Sequence, residues 1–427
     1  MLLMTFVMTA GAQSADTRHA VAVLQHLGDI PSVADGNITI PVNIRNNGTD
    51  RIENLTVTVS LNGTEKQYTI VPQTESMAQL TIPAPQTSGT YQLTLTVDKV
   101  NGIKNQSTIN TTEGRVINLT RKVDRKVVFE EFTGFGCGWC PRGLVALEEA
   151  RQMYGRDIVL ISAHYDDPIS CRDYNIMKQN QLPSAHLDRK LKSIDPYFGT
   201  SGGGKVFAIN DDIQQRFSVA PVAEVNVTAL IEGDKLTATS DVKFLFTGSG
   251  HYAMAFVVTE DGMHNEKWTQ LNNYWQVDDM GFIEEQDPLF ERWIKGESKL
   301  KGYVYDDVVL AAQGVKEGID NSIPESFVEE ESITYQTEFD LSKLKKMQNR
   351  KNLNVCAFLY DRDKKEIVNA NYMSFEHETS IEGIEADDED ITEVARYTAD
   401  GLKITSPRHG INIVKYSDGT VRKVIIK

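Results

Sequence analysis

The chain has 427 residues, which corresponds to about two to four domains of ordinary size. Its 40% hydrophobic and 24% charged residues are typical of globular proteins and exclude a wholly disordered chain. The 60 acidic residues outnumber the 44 basic ones, and the resulting net charge of −16 argues against nucleic-acid binding. After the first dozen residues no stretch is apolar over the roughly 20 residues that a membrane-spanning helix needs.

The N-terminus has the features of a signal peptide. Residues 1–10 are the apolar run MLLMTFVMTA, and the small residues Ala10 and Ala12 fit a cleavage site before Gln13. The usual basic segment is missing, and the alternative interpretation is a frayed apolar end of a cytosolic protein. We expect residues 1–12 to direct export to a compartment where disulfides persist.

Residues 13–120 are predicted to form an immunoglobulin-like β-sandwich. Apolar and polar residues alternate in LTVTVSL and in YQLTLTV, which is the period of two typical of half-buried strands. Asn47-Gly48 and Asn62-Gly63 are tight-turn dipeptides. The stretch ITIPVNIRNNGTDRIENLTVTVSLNG also resembles the immunoglobulin-like modules of bacterial surface proteins, which serve as spacers or binding platforms.

Residues 121–218 are predicted to form a thioredoxin-like α/β domain. A short apolar strand at 127–129 leads into the sequence CGWCP, and RGLVALEEARQMYG then has apolar residues at helical spacing. The next strand, DIVLISAH, is continuously apolar, as in a buried parallel sheet. We expect residues 173–200 to be a polar insertion and KVFAIN, residues 205–210, to be the following strand.

The C-x-x-C pair, Cys137 and Cys140, is the candidate catalytic site. A helix N-terminus carries a partial positive charge and stabilises a thiolate, the reactive species in disulfide exchange. We expect Cys137 to be the exposed attacking thiol and Cys140 the resolving thiol. Trp139 would cover one side of the pair, and Pro141 suits the first turn of a helix.

Other interpretations of the pair remain open. It could be a permanent structural disulfide that fixes the first turn of the helix. It could also be half a zinc site, although the nearby candidates, His164 and Cys171, match no familiar ligand spacing. We predict no metal and no cofactor.

Two carboxylates precede the cysteines, Glu130 and Glu131. In thioredoxin-like proteins a buried acid near the position of Glu131 assists proton transfer from the resolving thiol. We nevertheless expect both residues to be ordinary exposed carboxylates at the end of a strand.

Strand patterns resume after residue 218. Residues 219–376 are predicted to form a second, jelly-roll-like β-sandwich, and the irregular stretch 259–330 to form long loops that could bind a ligand. Residues 377–396 are predicted to be an acidic linker. In residues 397–427 the pieces GINIVKY and TVRKVIIK, joined by SDG, predict a C-terminal β-hairpin.

The central part of the chain resembles the outer-membrane-protein-28-related family of Gram-negative anaerobes. The resemblance covers about residues 125–376 and is strongest at VVFEEFTGFGCGWCPRGLVALEE, with HYDDP, VVTEDGM and FLYDRDKKEIVNANYMS further on. It implies a thioredoxin-like domain, an envelope or surface location and a role as adhesin or receptor. Thioredoxin-like proteins have a cis-proline opposite the cysteines; we expect Lys205 to stand at that position and the substrate groove to be altered.

The C-terminus resembles the sorting domains of type IX secretion. The segment GINIVKYSDGTVRKVIIK carries the resemblance, which implies passage across the outer membrane and removal at the surface. The alternative is a strand pair that packs on the preceding domain.

We therefore predict an exported protein at the outer membrane, at the cell surface or outside the cell, with the periplasm as the alternative. Its predicted function is that of a binding protein or adhesin with an unidentified protein or glycan ligand. The competing prediction is a thiol–disulfide oxidoreductase in which Cys137 attacks and Cys140 resolves.

Overall fold

The computed structural model describes residues 18–33, 36–176, 182–203, 205–275, 287–375, 393–398, 403–404, 406, 410–416 and 421–426. The predicted signal peptide and most of the predicted acidic linker lie outside the described residues. The chain divides into two compact units, Met1–Ser374 and Phe375–Lys427. The predicted fold class, mainly β with one α/β domain, is confirmed. Among the described residues, no helix has the length and apolar character needed to cross a membrane.

The first ten strands form a β-sandwich. They are β1 (Val21–Val23), β2 (Gly28–Val33), β3 (Asn37–Asn46), β4 (Leu55–Leu61), β5 (Thr64–Ile70), β6 (Pro72–Thr74), β7 (Met77–Pro83), β8 (Gly89–Val100), β9 (Ile103–Lys104) and β10 (Thr111–Leu119). One sheet has the order β1-β3-β7-β6 and the other the order β2-β10-β8-β4-β5, with β9 beside β8. Alternate apolar residues such as Ile40, Val57 and Leu95 from both sheets meet in one core, as the period of two predicts.

The next elements form an α/β core that carries the two cysteines. They are β11 (Val127–Thr133), α1 (Pro141–Tyr154), β12 (Ile158–His164), β13 (Ser184–Leu187), β14 (Leu191–Ile194) and α2 (Ile209–Phe217). Strands β11 and β12 are parallel and joined through α1, and β13 lies antiparallel on the other side of β11. Strand β11 is therefore central in the sheet, and all seven of its residues are buried.

Two expectations for this core are wrong. The segment 173–200, predicted to be an insertion, contains β13 and β14, whereas residues 205–208 form turns and no strand. Strand β13 was missed because it is only four residues long and half polar (SAHL), so it lacks the apolar pattern of a buried strand.

The position of the cis-proline is corrected as well. The peptide bond between Leu182 and Pro183 is cis, directly before β13, the strand beside β11. Lys205 instead lies on an exposed turn before α2, where its ammonium pairs with Asp211 at 2.6 Å. The expectation that Lys205 replaces the proline followed from taking residues 205–210 as the strand next to the cysteines.

The later strands extend the same sheet. They are β15 (Ala223–Glu232), β16 (Lys235–Phe244), β17 (Gly248–Ser249), β18 (Tyr252–Glu260), β19 (Thr269–Leu271), β20 (Lys299–Lys301), β21 (Val308–Gln313), β22 (Ser326–Phe327), β23 (Ser332–Asp340), β24 (Leu353–Asp361) and β25 (Glu366–Ser374). Eight strands have the order β14-β13-β11-β12-β21-β18-β24-β25, and β15-β16-β23 form a separate sheet whose strand β15 lies against β25. One sheet thus runs across the predicted boundary between residues 218 and 219.

A segment between β18 and β21 covers one end of the α/β core. It contains the pair β19–β20 and a third helix, α3 (Pro288–Ile294). Helix α3 lies beside α1, where Arg292 pairs with Glu148 at 2.8 Å. The rings of Tyr274 and Phe290 pack edge to face with centroids 4.8 Å apart.

The C-terminal unit is a small antiparallel sheet. Its strands are β26 (Glu393–Thr398), β27 (Lys403–Ile404), β28 (Gly410–Tyr416) and β29 (Val421–Ile426), in the order β27-β26-β28-β29. The predicted hairpin corresponds to β28 and β29. Strand β26 begins inside the predicted linker. Within this strand Glu393 forms an ion pair with Arg396 at 2.7 Å.

Candidate functional site

The two cysteines of the C-x-x-C motif form a disulfide at the start of α1. Their Cα atoms are 5.3 Å apart. Cys140 is the N-cap residue of the helix and is fully buried, while Cys137, in the loop after β11, is half-buried. Pro141 is the first residue of the helix, where the missing N–H has no intrahelical partner to lose. Cys137 is therefore the more accessible residue of the pair, and its role as the attacking thiol stays a prediction.

Trp139 lies on the surface between the cysteines. It is 46% exposed, and its ring packs edge-on against Tyr274 with the centroids 5.1 Å apart. The Tyr274 hydroxyl in turn donates to the Trp139 carbonyl at 3.4 Å and accepts a hydrogen bond from Arg142 at 3.2 Å. Trp139 is thus held by Tyr274, and its covering of the cysteine pair stays a prediction.

The expected exposure of Glu130 and Glu131 is wrong. Both residues have no exposed surface, because β11 is bordered by a strand on each side and covered on both faces. Successive residues of a strand point to opposite faces, so the two carboxyl groups lie in different environments.

Glu131 faces helix α1 and has few polar partners. Ser162 donates a long hydrogen bond, 3.4 Å, to Glu131 Oε2, and Oε1 has no hydrogen-bond partner within the described part of the chain. A Cβ atom added to Gly143 would be 2.2 Å from Oε1, so the carboxyl lies directly against the first turn of α1. Burial raises the pKa of Glu131 well above its usual range, which favours the protonated acid.

Glu130 is paired on the opposite face. Arg189 forms an ion pair with it at 2.7 Å, and the hydroxyl of Tyr174 donates to it at 2.5 Å. Burial by itself would raise the pKa of Glu130, but the charge and hydrogen bonds of Arg189 outweigh it and lower the pKa. Glu130 is therefore an ionised, structural carboxylate.

A distant part of the chain covers the loop before the cysteines. Residues 268–275 contain β19 and lie along residues 134–138. The contacts are hydrogen bonds from Gln270 Nε2 to the Cys137 carbonyl at 3.0 Å, from the Leu271 N–H to the Phe135 carbonyl at 2.8 Å, and from the Asn273 N–H to the Gly138 carbonyl at 2.8 Å. We call residues 268–275 the covering segment.

The covering segment leaves no space for a side chain at Gly138. A Cβ atom at residue 138 would be 2.2 Å from Asn273 Oδ1, so a side chain would displace Asn273. The sequence analysis missed both Gln270 and Asn273, since residues 259–330 were predicted to be loops. No local signal links them to a motif more than 100 residues earlier in the chain.

The residues considered for zinc have other partners. His164 Nδ1 lies 2.7 Å from Asp167, which also accepts from the Phe135 N–H at 3.2 Å, and both side chains are buried. The Cys171 thiol donates to the Leu310 carbonyl at 3.4 Å. In the described ranges no three His, Cys, Asp or Glu side chains are grouped as metal ligands.

Comparisons with known proteins identify the N-terminal sandwich. The CARDB family model matches residues 23–114. These residues form a CARDB domain. The CARDB match favours a cell-envelope or extracellular protein. No curated protein matches the sequence.

Several solved structures are similar to parts of the chain. HBP35 of Porphyromonas gingivalis is 20% identical with a TM-score of 0.41, over 71% of this chain and 99% of that one. Protein AGR_C_4864 from Agrobacterium tumefaciens is 17% identical with a TM-score of 0.30, over 60% and 96%. The CARDB domain of the PF1109 protein from Pyrococcus furiosus, in complex with di-metal ions, is 22% identical with a TM-score of 0.19, over 23% and 86%. At these TM-scores the similarity carries no functional argument, and the resemblance to the outer-membrane-protein-28-related family stays a prediction.

Proposed function

We propose that this chain is a cell-envelope protein whose thioredoxin-like domain exchanges disulfides through Cys137 and Cys140. The observation that carries the proposal is the buried carboxyl of Glu131 against the first turn of α1. A buried, poorly bonded acid is costly to stability. A purely structural disulfide has no use for such a group, whereas an exchange site needs a proton donor and acceptor for its buried thiol.

The exchange has two steps. A substrate thiolate attacks Cys137 Sγ, a mixed disulfide forms, and the electron pair of the broken bond goes to Cys140 Sγ, which takes a proton from Glu131. A second thiolate of the substrate then attacks the substrate sulfur of the mixed disulfide, which releases oxidised substrate and the Cys137 thiolate. The helix N-terminus at Cys140 stabilises negative charge on sulfur. In reverse, the same steps reduce a substrate disulfide.

The test is a redox titration of the whole protein in glutathione buffers, with alkylation and mass spectrometry to report Cys137 and Cys140. We expect a midpoint between roughly −120 and −270 mV, the range of exchange proteins. A midpoint below roughly −300 mV is typical of structural disulfides and would overturn the proposal.

An activity assay with matched variants complements the titration. Reduction of a model disulfide such as insulin should be lost in C137S. It should be unchanged in C171S, because Cys171 is a free thiol bonded to the Leu310 carbonyl. Equal activity of C137S and the wild type would exclude exchange at this site.

We also propose, as the second candidate, a binding protein or adhesin. The CARDB match over residues 23–114 favours this function. Wild-type protein and the C137S/C140S variant would be applied to a glycan array and to a panel of extracellular-matrix proteins. Binding by both forms supports an adhesin, whereas no binding on either surface, together with an exchange-range midpoint, favours the oxidoreductase alone.

We further propose that the C-terminal unit is a sorting element for passage across the outer membrane by type IX secretion. The support is the resemblance of the β28–β29 segment to such domains. Deletion of residues 393–427 should leave the protein in the periplasm, as measured by its protection from protease added to intact cells. Unchanged protease sensitivity would contradict this role.

A further inference from the structure

Gln270 is a buried side chain that links the covering segment to the reactive cysteine. It has no exposed surface. Its amide Nε2 donates to the Cys137 carbonyl at 3.0 Å and to the Leu271 carbonyl at 3.1 Å, with the Gly134 carbonyl at 3.4 Å. The amide thus contacts the carbonyls of both Gly134 and Cys137, in the loop between β11 and α1.

Tyr305 fixes the orientation of that amide. The Tyr305 hydroxyl donates to Gln270 Oε1 at 3.2 Å, which turns the amide nitrogen toward the loop. Tyr305 is itself 1% exposed, and its ring stacks on Phe135 of the loop with the centroids 4.9 Å apart. Gln270 and Tyr305 therefore contact the loop as one rigid pair.

The carbonyl of Cys137 has two donors when the disulfide is closed. Besides Gln270, the N–H of Cys140 donates to it at 3.2 Å. When the disulfide is reduced, the covalent bond no longer holds the turn between the cysteines closed. Hydrogen bonds that fit the closed turn favour the oxidised form over the dithiol.

We propose that Gln270 is a positioning residue for disulfide exchange: through its bond to the Cys137 carbonyl it stabilises the oxidised turn and lowers the midpoint potential of the Cys137–Cys140 pair. This inference rests on the proposed exchange function. The backbone bonds of Leu271 and Asn273 already attach the covering segment to the loop, so the side chain of Gln270 adds a contact to the reacting residue itself.

The experiment compares Q270A, Y305F and the control Q336A in the glutathione titration of the full chain. Gln336 is an exposed β23 residue whose amide donates to Thr239 at 3.0 Å, so Q336A matches the chemical change away from the site. We expect Q270A to shift the exchange equilibrium toward the dithiol by about two- to tenfold, the typical contribution of one hydrogen bond. A tenfold shift corresponds to about 30 mV.

The Y305F variant should shift the equilibrium in the same direction by less, because Gln270 is retained but no longer oriented. If Q270A does not fold, as judged by circular dichroism, Y305F decides the question. If the folded variants have the wild-type midpoint, or shift the equilibrium toward the disulfide, the role of Gln270 is overturned while the exchange function stands. A wild-type pair that glutathione does not reduce at any ratio would overturn the exchange function and this inference with it.

Discussion

The carboxyl group of Glu131 and the α-carbon of Gly143 are in direct contact across the interface of β11 and α1. A Cβ atom at residue 143 would be only 2.2 Å from Glu131 Oε1. The glycine that follows CGWCPR therefore makes room for the acid, and each of the two residues explains the presence of the other. Changes at either position test the arrangement.

G143A should destabilise the protein by about 1–3 kcal/mol, the usual cost of overpacking a buried site. Alanine by itself favours a helix over glycine, so a loss of stability must come from the clash with Glu131. The measurement is urea unfolding. G136A is the control, because no atom lies within 4 Å of a Cβ at that position. A G143A variant that is no less stable than G136A, or more stable than the wild type, would contradict the contact.

E131Q should slow disulfide exchange by about a hundredfold, a typical loss when a proton-transfer group is removed. The amide has nearly the same shape as the acid but cannot deliver the proton. Stopped-flow measurement of the exchange with a small dithiol provides the rate. A wild-type rate in E131Q would show that Glu131 takes no part in the reaction.

The same variant should change how stability depends on pH. Burial raises the folded-state pKa of Glu131, so the folded protein binds the proton more tightly than the unfolded chain. The contribution of Glu131 to the free energy of unfolding is therefore highest below the unfolded pKa of about 4.3 and falls as pH rises toward the folded value. Urea unfolding at a series of pH values should show a smaller decline for E131Q, and an unchanged decline would argue against the raised pKa.

E130Q should affect stability in the opposite way to E131Q, although the two residues are adjacent in the chain. Removal of one partner of a buried ion pair leaves Arg189 uncompensated and costs about 3–5 kcal/mol. Since the pKa of Glu130 is lowered, its stabilisation is present above the unfolded pKa and is lost as pH falls through the folded pKa. Thermal or urea unfolding of E130Q at neutral pH and in acid measures both effects; a variant as stable as the wild type at neutral pH would contradict the pairing.

A second acid titrates at the contact of α1 with α3. Burial and the carboxylate of Asp287, to which Glu149 is hydrogen-bonded, raise the pKa of Glu149 to about 7. The contribution of Glu149 to stability should thus fall as pH rises from about 4.3 to about 7, and E149Q should lack this decline. E338Q is the control, because Glu338 forms an exposed ion pair with Lys235 away from this contact. Identical pH profiles of E149Q and the wild type would refute the raised pKa of Glu149.

The sequence predicts the local order around the cysteines well. Pro141 at the helix start, the apolar run DIVLISAH and the helical spacing of α1 are short-range signals, and the structure has each element where the pattern indicates it. The burial of Glu131 follows from the position of β11 between β12 and β13, in a sheet that is covered on both faces. That position depends on β13, a short and half-polar strand later in the chain, which no local pattern around Glu131 reveals.

The covering segment was missed for a similar reason. Gln270 and Asn273 contact the C-x-x-C loop through hydrogen bonds to main-chain carbonyls, which place no demand on the identity of most loop residues. Gly138 is the exception, since its missing side chain leaves space for Asn273. The glycine is visible in the sequence, but the neighbour that requires it is not.

The shared sheet has a consequence for how the chain is made. Strand β12 is complete early in synthesis, yet its outer edge is covered only when Ser162 pairs with Val308 on β21. Until then the nascent chain carries an unpaired parallel edge, and such edges recruit other strands and promote aggregation. We therefore expect fragments that end near residue 218 to be insoluble when produced alone, and the full chain to depend on a chaperone until β21 pairs with β12.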